Sequence, residues 1–418
     1  MDVFHMDVAL HMAEDLSLNL SGSAQCPTPS NGQPDTLRNK TILIISPQPW
    51  DHIAISKHHY ASELATRNNT VYFLEPPNPE ISCPVSIRTA KNQPRIEIIS
   101  YRPSLLDKTR FHAYGLYKKI VKKRIRLITN QIPRSLDLVW SFEPNRFPNL
   151  REFKARRTIF HPVDPLCDRR QINIGRTADI VLAVSKKILS QFECHSSAHF
   201  VNHGLAVPFE AIARERLTEP YVANKPLQAG YAGNLVRPQV NRKIIREIVS
   251  QNSQVLFHFW GPCSIDSNSG SQSQVIADFI AWLQQRKNVR LHGPVAPTML
   301  ASAMRKMDLF FLSYSLHPTE SDRSNSHKLL EYLSTGRVVV SSQFDTYQHL
   351  SPELFLMPNS TDDQELPYLF KQAVENISKL NNQQLRDARL RLALANRYTD
   401  QINLIEKHLA SISSQIAA

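Results

Sequence analysis

From Asn325 to Glu331 the chain reads Asn-Ser-His-Lys-Leu-Leu-Glu, a polar turn running into a short amphipathic segment. Gly336 stops that segment, and the β-branched run Val338-Val339-Val340 follows. The pattern predicts a helix start, one short helix and a buried strand. The first backbone N–H groups of a helix lack intrahelical acceptors, and the helix dipole adds partial positive charge, so such a tip favours phosphate. His327 and Lys328 add side-chain donors there, with Asn325 and Ser326 in the turn before them. Glu331 follows His327 by four residues and Lys328 by three, which lets all three share one helix face. A carboxylate so placed suits two vicinal hydroxyls, as on a ribose. Together these residue types fit a nucleotide diphosphate carrying a sugar.

A helix tip of this kind needs a scaffold that aims it into a cleft. Elsewhere short apolar runs alternate with helical stretches, the signature of stacked βαβ units with parallel sheets. The first half predicts strands over 41–46, 70–74, 96–100, 136–141, 158–161, 180–184 and 199–201. The second half predicts strands over 228–231, 255–259, 289–291, 309–312 and 337–341, with helical sequence over 363–374 and 381–410. Residues 264–274, rich in Ser, Asn, Gly and Gln, read as an exposed loop, and 214–226, with Glu219-Pro220 and Lys225-Pro226, as a linker. Residues 1–39 read as a disordered leader. The expected fold class is α/β, with two Rossmann-like doubly wound parallel-sheet domains, 40–213 and 227–395, facing a central cleft, and a terminal helix over 396–418.

The stretch SNSHKLLEYLSTGRVVVSS resembles the donor-site helix of GT-B glycosyltransferases, especially the bacterial nucleotide-sugar enzymes of family 4 (group 1) type. TILIISPQPWDHIAISKHHYASELA, HPVDP, ADIVLAVSKKIL, VNHGL, AGYAGNL and FHFWGP occur in the order that fold requires, so the resemblance spans roughly residues 41–415. It implies sugar transfer from a nucleoside diphosphate sugar, used as co-substrate with no obligate cofactor, in bacterial polysaccharide or glycolipid biosynthesis. It also implies that the terminal helix crosses back onto the first domain. One position departs from the pattern. Relatives place a second Glu eight residues before the one matching Glu331, and here Arg323 stands there, so Glu320 or Asp322 would have to hold the sugar hydroxyls in its place.

In open α/β sheets ligands lie beyond the carboxyl ends of the strands, which makes residues just after strands the candidates. Gly233 and Asn234 open the second domain after its first strand, where small residues let backbone approach a pyrophosphate. Of the nearby cations Arg237, Arg242 and Lys243, Arg237 is favoured to stabilise charge on the leaving nucleotide, since the other two also suit a solvent-facing helix. By resemblance, the Gly261-Pro262 corner borders the base, while core is the commoner fate for an aromatic at the position of Trp260. Tyr314 lines the sugar pocket, and Leu329 sits within the donor helix. On the acceptor side stand Trp50, Lys57 and His58, in a Pro-rich turn where Ser56 as a plain helix cap is the simpler reading. An inverting transferase needs a base for the acceptor hydroxyl, and Asp164 is the first candidate and His161 the second. Against them stand a turn-forming Asp before Pro165 and a strand-end His satisfied by backbone. In a retaining enzyme both residues would position substrate. No D-x-D dyad or metal triad stands out, so no metal is expected.

Composition narrows the rest. At 418 residues, 42% hydrophobic and 21% charged, the chain is globular in usage. It has no apolar run of the roughly 18 residues that cross a bilayer. Five scattered cysteines without a C-x-x-C pair point to a reducing, cytoplasmic setting. Much of the formal net charge of +12 falls in residues 114–128. There Tyr117, Ile120, Val121 and Ile128 follow one helical stripe and Lys119, Lys122, Lys123 and Arg126 the opposite one. A solvated cationic face is the plainer reading. The resemblance favours contact of the Lys118–Arg126 region with an anionic membrane surface at the inner face of the cell membrane, and no nucleic-acid module is present. The leading expectation is a metal-independent glycosyltransferase of hexosyltransferase type acting on a polysaccharide, lipid-linked or other glycan acceptor. The rivals are a non-hydrolysing nucleotide-sugar epimerase on the same fold and a degenerate GT-B binding or scaffold subunit, which Arg323 keeps open.

Overall fold

The computed structural model describes residues 36–51, 54–263, 272–315 and 323–417. Two parallel-sheet lobes make up this part of the chain. The first holds eight strands: β1 Thr41–Ile45, β2 Thr70–Leu74, β3 Val85–Ala90, β4 Gln93–Tyr101, β5 Leu138–Ser141, β6 Arg157–Phe160, β7 Ile180–Ala183 and β8 Ala198–Phe200. Their order is β3-β4-β2-β1-β5-β6-β7-β8, and every pairing is parallel except β3 with β4. The second lobe holds β9 Gln228–Ala232, β10 Leu256–Trp260, β11 Val289–Gly293, β12 Leu309–Leu312, β13 Val338–Ser341 and β14 Phe355–Leu356, in the order β11-β10-β9-β12-β13-β14.

Strand chemistry explains the layers. In β1 all five residues are buried, as a strand covered on both faces requires. Ile42 and Ile44 enter one layer with Tyr60, Ala61 and Leu64 of the Ser56–Thr66 helix. Leu43 and Ile45 enter the other with Tyr117, Val121, Ile125 and Ile128 of the Tyr114–Thr129 helix.

Twelve strands fall on the stretches read from sequence, with ends shifted by up to three residues. Two strands had no counterpart in that reading. β3 is an antiparallel edge whose residues are mostly half-exposed or exposed, so it lacks the continuous apolar run of its neighbours. It reaches β4 through Asn92, at φ 63°, a left-handed conformation that Asn tolerates. β14 has only two residues, too few to show any period.

The chain also changes lobe earlier than its composition suggests. Leu205, Ala206, Phe209 and Ile212 pack in the second lobe's core, so the Val207–Arg216 helix belongs there rather than with residues 40–204. Its apolar stripe reads the same in either place, and only packing decides.

The Tyr398–Ala417 helix lies on the first lobe, burying Tyr398, Ile402, Ile405 and Leu409 beside Leu37. Arg67 ties the helix down by donating to Thr399 O at 3.0 Å and Asn403 Oδ1 at 2.8 Å. Leu37 donates to Glu406 Oε1 at 2.7 Å, so ordered packing begins before residue 39. Residues 1–35 and 264–271 of the expected leader and loop lie outside the described residues. No described helix is long and apolar enough to cross a membrane.

Candidate functional site

The donor-type motif forms the His327–Leu333 helix, with Ser326 at its N-cap in extended geometry and no side-chain cap bond. Leu329, Leu330, Tyr332 and Leu333 face the core, which turns His327, Lys328 and Glu331 outward. Tyr332 fixes the helix against β9, its hydroxyl accepting from Ala232 N at 2.8 Å. Lys328 then lies directly against Gly233, where any Cβ would meet its Nζ at 2.6 Å. The same ammonium donates to the Tyr314 hydroxyl and sits 5.2 Å from that ring's centroid. Two motifs about ninety residues apart in sequence thus converge on one cation.

Backbone geometry builds the rest of this wall. Gly261 has φ +121°, and a Cβ there would fall on Gly233 O. Only glycine allows that approach. Gly233 N donates to Trp260 O at 2.8 Å and Gly261 N to Gly293 O at 2.8 Å, which stitches the ends of β9, β10 and β11 together. Asn234 is part of the same turn, its Oδ1 accepting from Val236 N at 2.9 Å. Arg242 is engaged with the carbonyls of Leu235 and Arg237, whereas Arg237 lies close enough to His327 to depress its pKa.

Burial pushes the Glu331 carboxyl up to about 7, with Lys328 opposing the shift. His327 stands 3.9 Å from Glu331. Its imidazole keeps nearly half its surface open, yet the surrounding protein and the nearby His203 and Lys328 hold it well below its ordinary pKa.

The first lobe meets this helix directly. Asn325 Nδ2 donates to Val184 O at 2.6 Å and to Asn202 Oδ1 at 2.8 Å, and the His203 ring stands 6.0 Å from that of His327. Behind His203 lies a group of ionisable residues from dispersed elements. Ser56 Oγ is 3.3 Å from His203 Nδ1. Lys57 is only 2% exposed, and burial lowers its pKa to about 8 against the pull of Asp164 and Glu143. His161 is 1% exposed and held down to about 3 by burial, with His203 and Lys57 adding to the shift. Trp140 Nε1 donates to His161 Nδ1 at 3.3 Å, which leaves Nε2 as the protonated nitrogen, and that atom is buried without a partner. Asp164 is exposed at the mouth of this group.

Three of these residues carried no role in the sequence reading. His203 lay inside VNHGL, the only signal available. His59, lowered to about 4 by burial, stacks on Tyr398 with centroids 5.0 Å apart. Tyr398 arrives from the terminal helix and packs on Gly204, where a Cβ would run into its ring.

Two expectations need correction. His58 does not face an acceptor: its Nδ1 accepts from Ile55 N at 3.2 Å and its Nε2 bonds to Pro49 O at 3.0 Å, so the loop itself occupies both nitrogens. The Trp50 ring packs on His58 and Phe73 at 5.5 and 5.0 Å, and its backbone N–H donates to Glu75 Oε1, so the residue braces the turn. Arg323 points into the second lobe, paired with Asp363. Glu320 and Asp322, offered as its substitutes, lie outside the described residues, as do Leu316 and His317. Among the described residues no group of three or more His, Cys, Asp or Glu could hold a metal ion.

No protein-family model matches the chain, and no curated protein matches it. Solved structures do. The chain is similar to Anabaena HepE in complex with UDP and glucose, with 16% identity, TM-score 0.61, and coverage of 89% of this chain and 100% of that one. It is also similar to a trehalose-6-phosphate protein from E. coli bound with UDP-2-fluoro glucose, at 11% identity, TM-score 0.63, and coverage of 88% and 99%. A third is the α,α-trehalose 6-phosphate synthase of Burkholderia multivorans, at 11% identity, TM-score 0.62, and coverage of 90% and 100%. At such identities the likeness establishes the shared fold, the two-lobed GT-B architecture.

Proposed function

We propose that this chain is a glycosyltransferase of family 4 type that moves a sugar from a nucleoside diphosphate sugar to a glycan or lipid-linked acceptor. The observation that carries this reading is the seating of the Lys328 ammonium on Gly233 at the end of β9, with Glu331 one turn further along the helix. A cation on a glycine-lined backbone at the carboxyl end of a parallel sheet suits a diphosphate. Arg237 and Ser326 supply further donors, Asn325 holds the turn to the first lobe, and Glu331 accepts from ribose hydroxyls. Gly261 lets the chain turn closely beside the base. Charge that develops on the departing diphosphate is met by Lys328 and Arg237, with no metal ion required.

On the opposite wall the acceptor oxygen attacks the anomeric carbon as the bond to the diphosphate oxygen breaks and its electron pair leaves with the nucleotide. In the inverting form of the reaction Asp164, the exposed member of the group, takes the acceptor proton, with buried His161 packed behind it. In the retaining form Asp164 positions substrate. Lys57 is electrostatically coupled to Asp164 and His161 and supplies the positive charge of the acceptor side.

The membrane-facing part of the reading rests on exposed side chains. Leu105, Leu106, Phe111 and Leu116 are 93%, 52%, 63% and 48% exposed, immediately before and within the helix that carries Lys118, Lys119 and Lys123. Apolar side chains beside cations suit an anionic bilayer surface at the inner face of the cell membrane.

HepE was solved with UDP-glucose as well as with UDP, so UDP-glucose is the first donor to try. Thermal shift with UDP, GDP, ADP and dTDP, followed by transfer assays with sugar conjugates of the binder, tests the reading. Stabilisation by one diphosphate and transfer from its sugar conjugate are expected. No stabilisation by any of them would refute the donor site.

A further inference from the structure

Position 323, where the resemblance calls for Glu, is tied into the donor wall from behind. Arg323 is 8% exposed. Its Nε donates to Tyr314 O at 2.9 Å, Nη1 to Thr361 O at 2.6 Å and Nη2 to Asp363 Oδ2 at 2.6 Å. Asp363 is fully buried, on the loop after β14, with φ 64°. The same Oδ2 accepts from Ser342 Oγ at 2.6 Å, and Ser342 Oγ accepts from Tyr314 N at 3.0 Å. One carboxylate therefore fixes both backbone groups of Tyr314, its carbonyl through Arg323 and its N–H through Ser342. The Tyr314 phenol in turn receives the Lys328 ammonium. Backbone bonds from Asp345 N to Arg323 O at 3.1 Å and from Thr346 N to Ser324 O at 3.2 Å hold the segment that carries the guanidinium.

We propose that Arg323 and Asp363 are positioning residues that lock Tyr314, and through it the Lys328 ammonium, in register with the diphosphate subsite. This rests on the reading of Lys328 as the diphosphate ligand. The substitution of Arg for Glu then exchanges one device for another. A carboxylate at 323 would face the buried Asp363, and like charges in a low-dielectric site are strongly unfavourable. An arginine there cannot accept from sugar hydroxyls as a carboxylate would, and each of its three nitrogens already donates to a protein acceptor. Recognition of the sugar therefore falls to other residues, and the lobe gains a rigid support beneath its phosphate cation.

Calorimetric binding of the nucleoside monophosphate and diphosphate is compared for wild type, Arg323→Gln, Lys328→Ala and the double variant, with thermal unfolding recorded for each. Arg323→Gln is expected to weaken diphosphate binding on the order of tenfold and monophosphate binding much less. In the Lys328→Ala background it is expected to change nothing further. Equal losses for both nucleotides, or losses that add in the double variant, would overturn the proposal and leave Arg323 a purely structural clamp.

Arg323→Glu supplies a second arm: diphosphate binding below that of Arg323→Gln supports the lock, whereas tighter binding of the donor sugar than in wild type places position 323 at the sugar and overturns it. Should Arg323→Gln fail to fold, Tyr314→Phe keeps the ring and removes the hydroxyl. It is expected to reproduce the selective diphosphate loss, and unchanged binding would overturn the proposal. A wild type that binds no diphosphate refutes the donor reading together with this inference. Normal wild-type binding with indifferent variants refutes this inference alone.

Discussion

On the second-lobe wall of the cleft the groups available to a ligand are held by backbone. Gly233 and Gly261 interlock with the ends of three strands, Tyr332 pins the helix to Ala232, and Lys328 rests on that surface. The first-lobe wall is instead backed by mostly buried ionisable side chains forced toward their neutral forms. Lys57, His59, His161 and His203 all have lowered pKa values with burial as the leading cause. The contrast suggests a division of labour. A diphosphate carries fixed charge and needs rigid donors, whereas the first wall offers neutral imidazoles that can accept or donate a hydrogen bond, with Lys57, at about 8, the group that titrates near neutral pH.

The largest expected effect tests the rigid wall. Lys328→Ala removes its cation while leaving Gly233 and Gly261 in place, and should weaken diphosphate binding by about 10²-fold or more, as expected when a charge-assisted contact of roughly 3 kcal/mol is lost. Thermal unfolding without ligand should barely move. Calorimetry with the diphosphate reads the first quantity. Retained affinity would dissolve the contrast, since the wall would then owe its binding to something other than this cation.

Next comes the titratable wall. Lys57→Met keeps the bulk of the side chain and removes an ammonium that burial disfavours. At pH 7, below its pKa of about 8, wild type must carry that buried charge. The variant is therefore expected to unfold at a higher temperature than wild type while losing on the order of tenfold in kcat/KM, mostly through the acceptor. A parallel fall in stability and activity would mean that Lys57 is simply part of the lobe's packing.

These two walls were not equally readable from sequence. The donor wall lies in three contiguous stretches, 230–235, 257–262 and 325–331, the first two ending a strand and the third opening a helix. Spacing alone therefore brings out Lys328, Glu331 and the glycines. The first wall is assembled from Lys57, His161, His203 and Tyr398, with gaps of forty residues or more between them. Tyr398 reaches it only because the terminal helix returns across the lobes. His58 shows the opposite failure: it sits beside Lys57 in sequence, yet the turn consumes both of its nitrogens. No local pattern separates a histidine that closes its own loop from one that faces a cleft.

A third effect separates the walls by pH. Glu331 is the exception on the rigid side, its pKa raised from 4.5 to about 7 by burial. The folded state then binds this proton more tightly than the unfolded chain, so its contribution is fully present below about pH 4.5 and is lost as pH rises through 7. Glu331→Gln should accordingly raise the unfolding temperature relative to wild type at pH 8, by about 1–3 kcal/mol in stability, with the gap closing toward pH 4.

The histidines of the first wall carry the opposite sign. With folded pKa values of about 4 at His59 and His203, they contribute stability above pH 6.5 that is lost as pH falls toward 4. His203→Gln should flatten the acid limb without affecting the limb above pH 7. Unfolding curves from pH 4 to 9 read both, and a Glu331 variant that tracks wild type throughout would show that its carboxyl is not desolvated.

A last effect concerns how an acceptor reaches the titratable wall. Exposed Leu105, Leu106, Phe111 and Leu116 stand in the same lobe as that wall, next to Lys118, Lys119 and Lys123, while the rigid donor wall belongs to the other lobe. A nucleotide sugar arrives from solvent; a lipid-linked acceptor arrives from a bilayer. If the walls divide in this way, only the first lobe needs a surface for lipid. Each cation near an anionic bilayer contributes about 1 kcal/mol, so Lys118→Glu combined with Lys119→Glu should lower binding to phosphatidylserine vesicles on the order of tenfold or more. Diphosphate affinity and thermal unfolding should stay as in wild type. Neutral phosphatidylcholine vesicles should bind wild type and variant alike, which distinguishes attraction of charge from loss of fold. Equal binding of the variant to anionic vesicles would leave the exposed leucines without a lipid partner, and the comparison between the lobes would then rest on their chemistry alone.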